Sequence, residues 1–283
     1  MSDAAPDPAP DPDVVLTFRD AAVRFGERTL WSGLDLTLRR GEFVAILGPN
    51  GSGKTSLLRT VLGQLPLSDG SLSFLGRPAR HGDRRIGYIP QQRIADRDTP
   101  VRARELVGFG IDGHRFGLPL PNRAKRVRVA AALDAVGAGA WAKRSIGTMS
   151  GGEQQRVRIA QALVGRPDLL LCDEPLSSLD LLHQRGVSQL LDRSRKDHDL
   201  GLLMITHDIN PVLTMVDRVV YVAAGQVRVG TVSEVLTTDV LSDLYQTTVE
   251  VLRVQGRIVV AGVPRDEASG HLGADDHHEQ APL

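Results

Sequence analysis

Eight consecutive residues, Gly48-Pro49-Asn50-Gly51-Ser52-Gly53-Lys54-Thr55, stand directly after the apolar run Phe43–Leu47 and directly before Ser56–Gln64, whose spacing predicts a helix. The glycines let the backbone curl until successive N–H groups face one anion, and the start of a helix adds positive potential there. Lys54 contributes a full charge and Thr55 a hydroxyl that can ligate Mg²⁺. A nucleoside triphosphate is the ligand that uses all of these groups together.

A second constellation, Leu169-Leu170-Leu171-Cys172-Asp173-Glu174, is an apolar strand that ends in two adjacent carboxylates. Neighbouring strand residues point to opposite sides, which gives the two acids separate tasks. Asp173 is expected to hold Mg²⁺ through water, and Glu174 to orient and deprotonate the attacking water. Taken alone, such a pair is more often a solvated strand end; the phosphate loop upstream reverses that weighting.

A third stretch, Met149-Ser150-Gly151-Gly152-Glu153-Gln154-Gln155-Arg156, leads into an amphipathic helix. Ser150 with Glu153 three residues on is a capping box, which accounts for those two residues. It leaves the paired glycines unexplained, since they weaken a helix start unless an anion approaches the backbone closely. The chain's own triphosphate already has its loop. Ser150–Gly152 are therefore expected to cap the γ-phosphate of nucleotide bound to a second copy of the chain.

The elements that must position these groups follow from periodicity. Short apolar runs at Val14–Phe18, Phe43–Leu47, Ile86–Ile89, Leu169–Cys172, Leu202–Thr206 and Val219–Val222 punctuate longer helical stretches, which predicts an α/β domain with a largely parallel sheet. Between about 92 and 165 the alternation stops: Arg123–Val136 and Glu153–Val164 both have helical spacing with no strand between, which reads as an inserted helical subdomain. Val249–Val254 and Arg257–Val260 flank Gln255-Gly256 as a hairpin. Residues 1–13 alternate Pro, Asp and Ala and, like 263–283, are expected to be disordered, leaving one domain over 14–262. Cys172 is the sole cysteine and is read as a small core residue.

Composition narrows the partners. Among 283 residues, 34 basic side chains balance 34 acidic ones, leaving no overall field to hold nucleic acid. The apolar runs fall well short of the roughly 20 residues that span a bilayer, and the acidic, proline-rich start lacks the features of a secretory signal. A cytosolic location is expected.

From about residue 14 to about residue 240 the sequence resembles the ABC ATPase family, with six motifs in the family's order. Gly48–Thr55 looks like the Walker A loop, Gln91 like the Q-loop glutamine, and Ser150, Gly151, Gly152, Glu153 and Gln154 like the signature loop. Asp173 and Glu174 look like Walker B with its glutamate, Ser178, Leu179 and Asp180 like the D-loop, and His207 like the switch histidine. Phe25 falls where the family places an aromatic on adenine. Phenylalanine at 25, Met149 and Glu153 depart from the family's commoner tyrosine, leucine and glutamine, and stacking and phosphate contacts survive these changes.

The resemblance implies a P-loop NTPase core with a mainly parallel sheet, an antiparallel β subdomain and the inserted helical subdomain. It implies a catalytic set of Glu174, His207, Lys54 and Gln91, with Mg²⁺ held by Thr55, Gln91 and Asp173. The implied ATP-binding set is Phe25, Gly48, Pro49, Asn50, Gly51, Ser52, Gly53, Lys54, Thr55 and Ser56. Two copies would sandwich two ATP molecules and drive two separate transmembrane permease subunits from the cytoplasmic face of the membrane, served by an extracytoplasmic substrate-binding protein. A partner helix would enter the groove at about Arg93–Gly117. The stretches Thr206–Pro211, Val216–Val219, Val235-Leu236 and Val249–Val251 look like ATPases of manganese or zinc importers, ahead of iron-siderophore or cobalamin importers. A regulator without turnover fits poorly with intact Glu174 and His207. DNA-repair ATPases need a long coiled coil that residues 56–149 cannot supply, and ribosome-acting ones pair two cassettes with basic surface. His271, His277 and His278 with Asp275, Asp276 and Glu279 are read first as a solvated tail and second as a metal sensor.

Overall fold

A computed structural model describes residues 11–91, 99–113 and 122–262. Its centre is a six-stranded sheet in the order β10-β9-β3-β8-β7-β6, comprising β3 (Phe43–Leu47), β6 (Ile86–Ile89), β7 (Leu169–Asp173), β8 (Gly201–Ile205), β9 (Arg218–Ala223) and β10 (Gln226–Gly230). Every pairing in it is parallel except β9 with β10. All residues of β3, β7 and β8 are buried, the pattern of strands covered on both faces, which is why they stand out in the sequence as unbroken apolar runs.

Alternate side chains of those strands feed two cores. Phe43, Ala45, Leu170, Cys172, Leu202 and Met204 face one, and Val44, Ile46, Leu169, Leu171, Leu203 and Ile205 face the other. The second core is roofed by α1 (Lys54–Val61) and by an antiparallel sheet, β2-β1-β4-β5, of β1 (Val14–Phe25), β2 (Arg28–Arg39), β4 (Asp69–Phe74) and β5 (Arg77–Pro78). Trp31 of β2 is fully buried there, its ring edge-on to Phe18 at 6.4 Å. Truncating one of these leucines to alanine is expected to cost about 2–5 kcal/mol.

The first core is covered by helices: α2 (Ala103–Asp112), α3 (Arg123–Ala135), α4 (Gly151–Leu163), α5 (Leu181–His198), α6 (Val232–Val235) and α7 (Thr238–Tyr245). Two 3₁₀ turns, Gly139–Trp141 and Ile146–Thr148, lead into α4. A hairpin of β11 (Val249–Val254) and β12 (Arg257–Gly262) ends the described chain, with Gln255 and Gly256 both in the left-handed region that a tight two-residue turn requires.

Parts of the chain differ from, or lie beyond, the expectations. Strands β2, β4, β5 and β10 supplement the six runs expected. Residues 11–13, assigned to the N-terminal tail, are fastened to β2: Arg39 Nη1 contacts Asp11 Oδ2 at 2.8 Å and Arg40 N donates to Asp13 O at 2.8 Å. Residues 1–10, the tail 263–283 with its histidines, and residues 93–98 and 114–117 of the Arg93–Gly117 groove lie outside the described residues.

Candidate nucleotide site

The glycine-rich loop Gly48–Thr55 spans from the C-terminal end of β3 to the first turn of α1. Gly48 has φ 142°, and a Cβ there would lie 2.0 Å from the carbonyl oxygen of Val222, so only glycine fits. A Cβ on Gly53 would lie 2.9 Å from Trp31 Cδ1, which seats the loop against the buried indole. Gly53 caps α1 without any side-chain acceptor, leaving the first N–H groups of the helix to serve an anion. Lys54 is buried and its Nζ donates to Gly48 O and Pro49 O, each at 2.8 Å. Burial lowers its pKa from the ordinary lysine value, while Glu174 and Asp173 oppose the shift. The protein thereby keeps a desolvated cation facing the loop.

Asp173 ends β7 and is 3% exposed. Burial, and then the neighbouring Glu174, raise its pKa; Arg59, Lys54 and a hydrogen bond involving Thr55 act the other way. Its Oδ1 is buried with no protein partner. An orphaned carboxylate oxygen beside a threonine hydroxyl is the kind of all-oxygen donor set that suits Mg²⁺, and the residues present fit that ion.

Glu174 follows in the left-handed conformation, φ 49°, uncommon for a residue with a side chain. Its N–H donates to Ile205 O at 3.1 Å, and its carboxylate, 11% exposed, is gripped from two sides. Gln91 Nε2 donates to Oε2 at 2.9 Å, and His207 Nε2 meets Oε1. Gln91 follows β6, Glu174 follows β7 and His207 stands two residues beyond β8, three neighbouring parallel strands whose carboxyl ends converge here. Lys54, Thr55, Gln91, Asp173, Glu174 and His207 are thus brought to one edge of the sheet.

Phe25 ends β1 with its ring 55% exposed, and across the adjoining turn Arg28 Nη2 donates to Gly51 O at 3.4 Å. That tie brings the turn carrying Phe25 to the phosphate loop. Asn50, Ser52 and Ser56 lie in the loop and the first turn of α1.

The remaining residues form a second group. Ser150 caps α4, with Ser150 N donating to Glu153 Oε2 at 2.8 Å and Glu153 N to Ser150 Oγ at 3.3 Å, and Arg144 Nη1 donates to Glu153 Oε1 at 2.9 Å. Gln154 is buried and its Nε2 donates to Met149 O at 3.2 Å. Leu179 Cδ2 lies 3.8 Å from where a Cβ of Gly151 would be. Asp180 caps α5 by accepting from Leu182 N and His183 N, and Ser178 is exposed beside it.

Sequence reasoning missed His183. Asp180 Oδ2 contacts its Nδ1 at 2.7 Å, which turns the imidazole onto the start of α4, where a Cβ on Gly152 would lie 2.5 Å from His183 Cδ2. Gly152 therefore has a packing reason in addition to the anion argument. The only signal was position: His183 stands three residues after the capping Asp180, on the first turn of α5.

A loop that cradles phosphate between a central parallel strand and its helix, with paired carboxylates on the next-but-one strand, defines a P-loop nucleoside triphosphatase. The chain belongs to the ABC transporter family, whose sequence model matches residues 31–177. It is 34% identical to the zinc transport system ATP-binding protein TroB of Treponema pallidum, over 82% of this chain and 85% of that protein. It is 31% identical to the manganese transport system ATP-binding protein MntB of Bacillus subtilis, over 80% of this chain and 90% of that one. Among solved structures, cbiO1 from Clostridium perfringens, part of the ABC transporter complex cbiONQ, superposes with a TM-score of 0.69 at 28% identity, covering 82% of this chain and 94% of that chain. The chain is an ATPase whose turnover is coupled to transport. No helix among the described residues is long and apolar enough to cross a membrane.

Proposed function

We propose that this chain powers the import of a divalent transition metal, zinc or manganese, as the peripheral ATPase on the cytoplasmic face of a membrane transporter. The observation that carries the chemistry is the Glu174 carboxylate fixed between Gln91 and His207 beside the phosphate loop. Glu174 is the group that orients the attacking water and takes its proton, and His207 and Gln91 hold that carboxylate in register with the terminal phosphoryl group. Lys54 and the N–H groups of Gly48–Thr55, with Asn50 and Ser52 in the same loop, bind the β- and γ-phosphates; Ser56 continues the helix behind them and Phe25 stacks on the adenine. Thr55, Asp173 and Gln91 would hold Mg²⁺, which when bound neutralises charge developing on the phosphate oxygens.

Ser150, Gly151, Gly152, Glu153 and Gln154 lie at the start of a separate helix, which supports their service to nucleotide held by a second copy. Ser178, Leu179 and Asp180 sit against that loop and would transmit the state of one site to the other. Two permease subunits and an extracytoplasmic binding protein complete the assembly. In this arrangement triphosphate joins the two copies, and hydrolysis separates them.

The cargo reading rests on kinship, because this subunit does not touch what is transported. The relatives named for zinc and manganese transport match most of the chain. The test is to purify the chain with its membrane subunits and binding protein and to measure ATPase stimulation by each ion. Zinc or manganese should stimulate turnover, and iron-siderophore and cobalamin should not; the reverse order would transfer the chain to a chelate importer.

A further inference from the structure

The side chain of Asn210 hydrogen-bonds the C-terminal hairpin to the loop carrying His207. In a hairpin with a two-residue turn the flanking pair, here Val254 and Arg257, is hydrogen-bonded, so the next pair, Arg253 and Ile258, turns its N–H and C=O groups outward. At Ile258 both outward groups are taken by Asn210. Ile258 N donates to Asn210 Oδ1 at 2.8 Å, and Asn210 Nδ2 donates to Ile258 O at 2.9 Å. The side-chain amide stands in for the peptide unit of a third strand.

The second proton of that amide goes to Asp208 Oδ1 at 2.7 Å, an oxygen that also accepts from Asn210 N at 2.9 Å. Asp208 is tied back across His207, because Thr206 Oγ1 donates to Asp208 O at 2.8 Å. His207 thus sits in a loop cross-braced on both sides, and the brace ends in β12. Val260 and Ile258 of that strand also line a cavity of about 360 Å³ together with Gly48, Pro49 and His207. The hairpin lies beyond residue 177, where the family match ends.

We propose that Asn210 is a positioning residue for ATP hydrolysis, docking the C-terminal hairpin onto the His207 loop and thereby holding His207 against Glu174. This rests on the reading of His207 and Glu174 given above. Side-chain amides often do no more than anchor a hairpin, and such an anchor would affect stability alone. A positioning role instead lowers turnover per competent site while leaving nucleotide binding intact.

The test uses the full chain assembled with its membrane subunits and compares Asn210→Ala, Ile258→Pro, their double variant and His207→Ala. Ile258→Pro removes the Ile258 N–H that Asn210 Oδ1 accepts, leaving Ile258 O in place, and also trades away a buried core side chain. Turnover is expressed per ATP-binding site, counted by ATP titration, so that unfolded protein does not enter the rate. Asn210→Ala should lower kcat about tenfold with the ATP Kd unchanged within about twofold, the size expected for a displaced catalytic group. Ile258→Pro should lower kcat at least as much, and the double variant should lose no more than Ile258→Pro alone. Wild-type kcat per site in Asn210→Ala, or losses that multiply in the double variant, would overturn the proposal. If His207→Ala is inactive while Asn210→Ala turns over normally, only the brace is wrong; if His207→Ala itself keeps the wild-type rate, the reading of the switch residue fails.

Discussion

Gln91 Nε2 donates to Glu174 Oε2 over 2.9 Å, although 83 positions separate the two residues in the sequence. With His207 on the other oxygen, the carboxylate has both acceptors engaged and one orientation available. Removing either grip frees a rotation that has to be frozen again before water is deprotonated. Gln91→Ala is expected to lower kcat by roughly tenfold with little change in ATP affinity. Steady-state kinetics beside a direct ATP titration separate the two quantities.

Lys54 should report on binding instead. Its ammonium is buried, desolvation lowers its pKa, and a bound phosphate would stand in for the hydration that burial takes away. Lys54→Ala should raise the ATP Kd by roughly 10- to 100-fold, the range for losing a hydrogen bond to a charged group. Unchanged affinity by calorimetry would show that the loop's N–H groups carry the phosphates alone.

Glu153 predicts a pH dependence. Burial alone would raise its pKa, but hydrogen bonds from Ser150 N–H and from Arg144 outweigh burial and hold it below the ordinary 4.5. A carboxylate depressed on folding contributes stability that is complete above its unfolded value and is lost as pH falls through its folded one. Glu153→Gln keeps the cap and loses the charge. Its Tm should lie below that of the wild-type chain at pH 7, and the gap should close as the acidity passes below about pH 4. A gap independent of pH would place the effect in packing.

Gly152 separates two explanations of one residue. A methyl group there would lie 2.5 Å from the His183 ring, and Gly152→Ala should cost about 1–3 kcal/mol through overpacking. Adding His183→Ala opens the space and should restore most of the Tm. If ATPase activity returns with stability, packing is the whole reason for the glycine; if it stays low, the close approach of phosphate to the backbone is the second.

How much of this was legible in the sequence varied with the range of the interactions. Leu169–Glu174 and Phe43–Thr55 were readable because strands buried on both faces show as unbroken apolar runs, and because the loop chemistry is local. Strand β2 was passed over although its buried Leu34, Leu36 and Leu38 alternate with Asp35 and Thr37 in the two-residue period of a half-buried strand, because unbroken β-branched runs took precedence. Arg195 stands in the charged stretch Arg193–His198, yet it is buried and bonds Asp192, Asp217 and the Met215 carbonyl, pinning the end of α5 to the chain around β9. His183 on Gly152 and Asn210 on Ile258 join residues 31 and 48 positions apart, and neither has a spacing rule that could announce it. The left-handed backbone at Glu174 belongs to the same group, being set by the hydrogen bond to Ile205 on the neighbouring strand.

The dimer is tested most directly by the mass of a hydrolysis-defective chain. Glu174→Gln keeps the size of the side chain and removes the base, so it should bind ATP, lose turnover by roughly 100-fold or more, and accumulate with nucleotide in place. Saturated with Mg-ATP and examined by light scattering, alone and assembled with its membrane subunits, this variant should bring two copies together and release them on exchange for ADP. A Glu174→Gln chain whose two copies stay apart in both settings under saturating Mg-ATP would contradict the shared site.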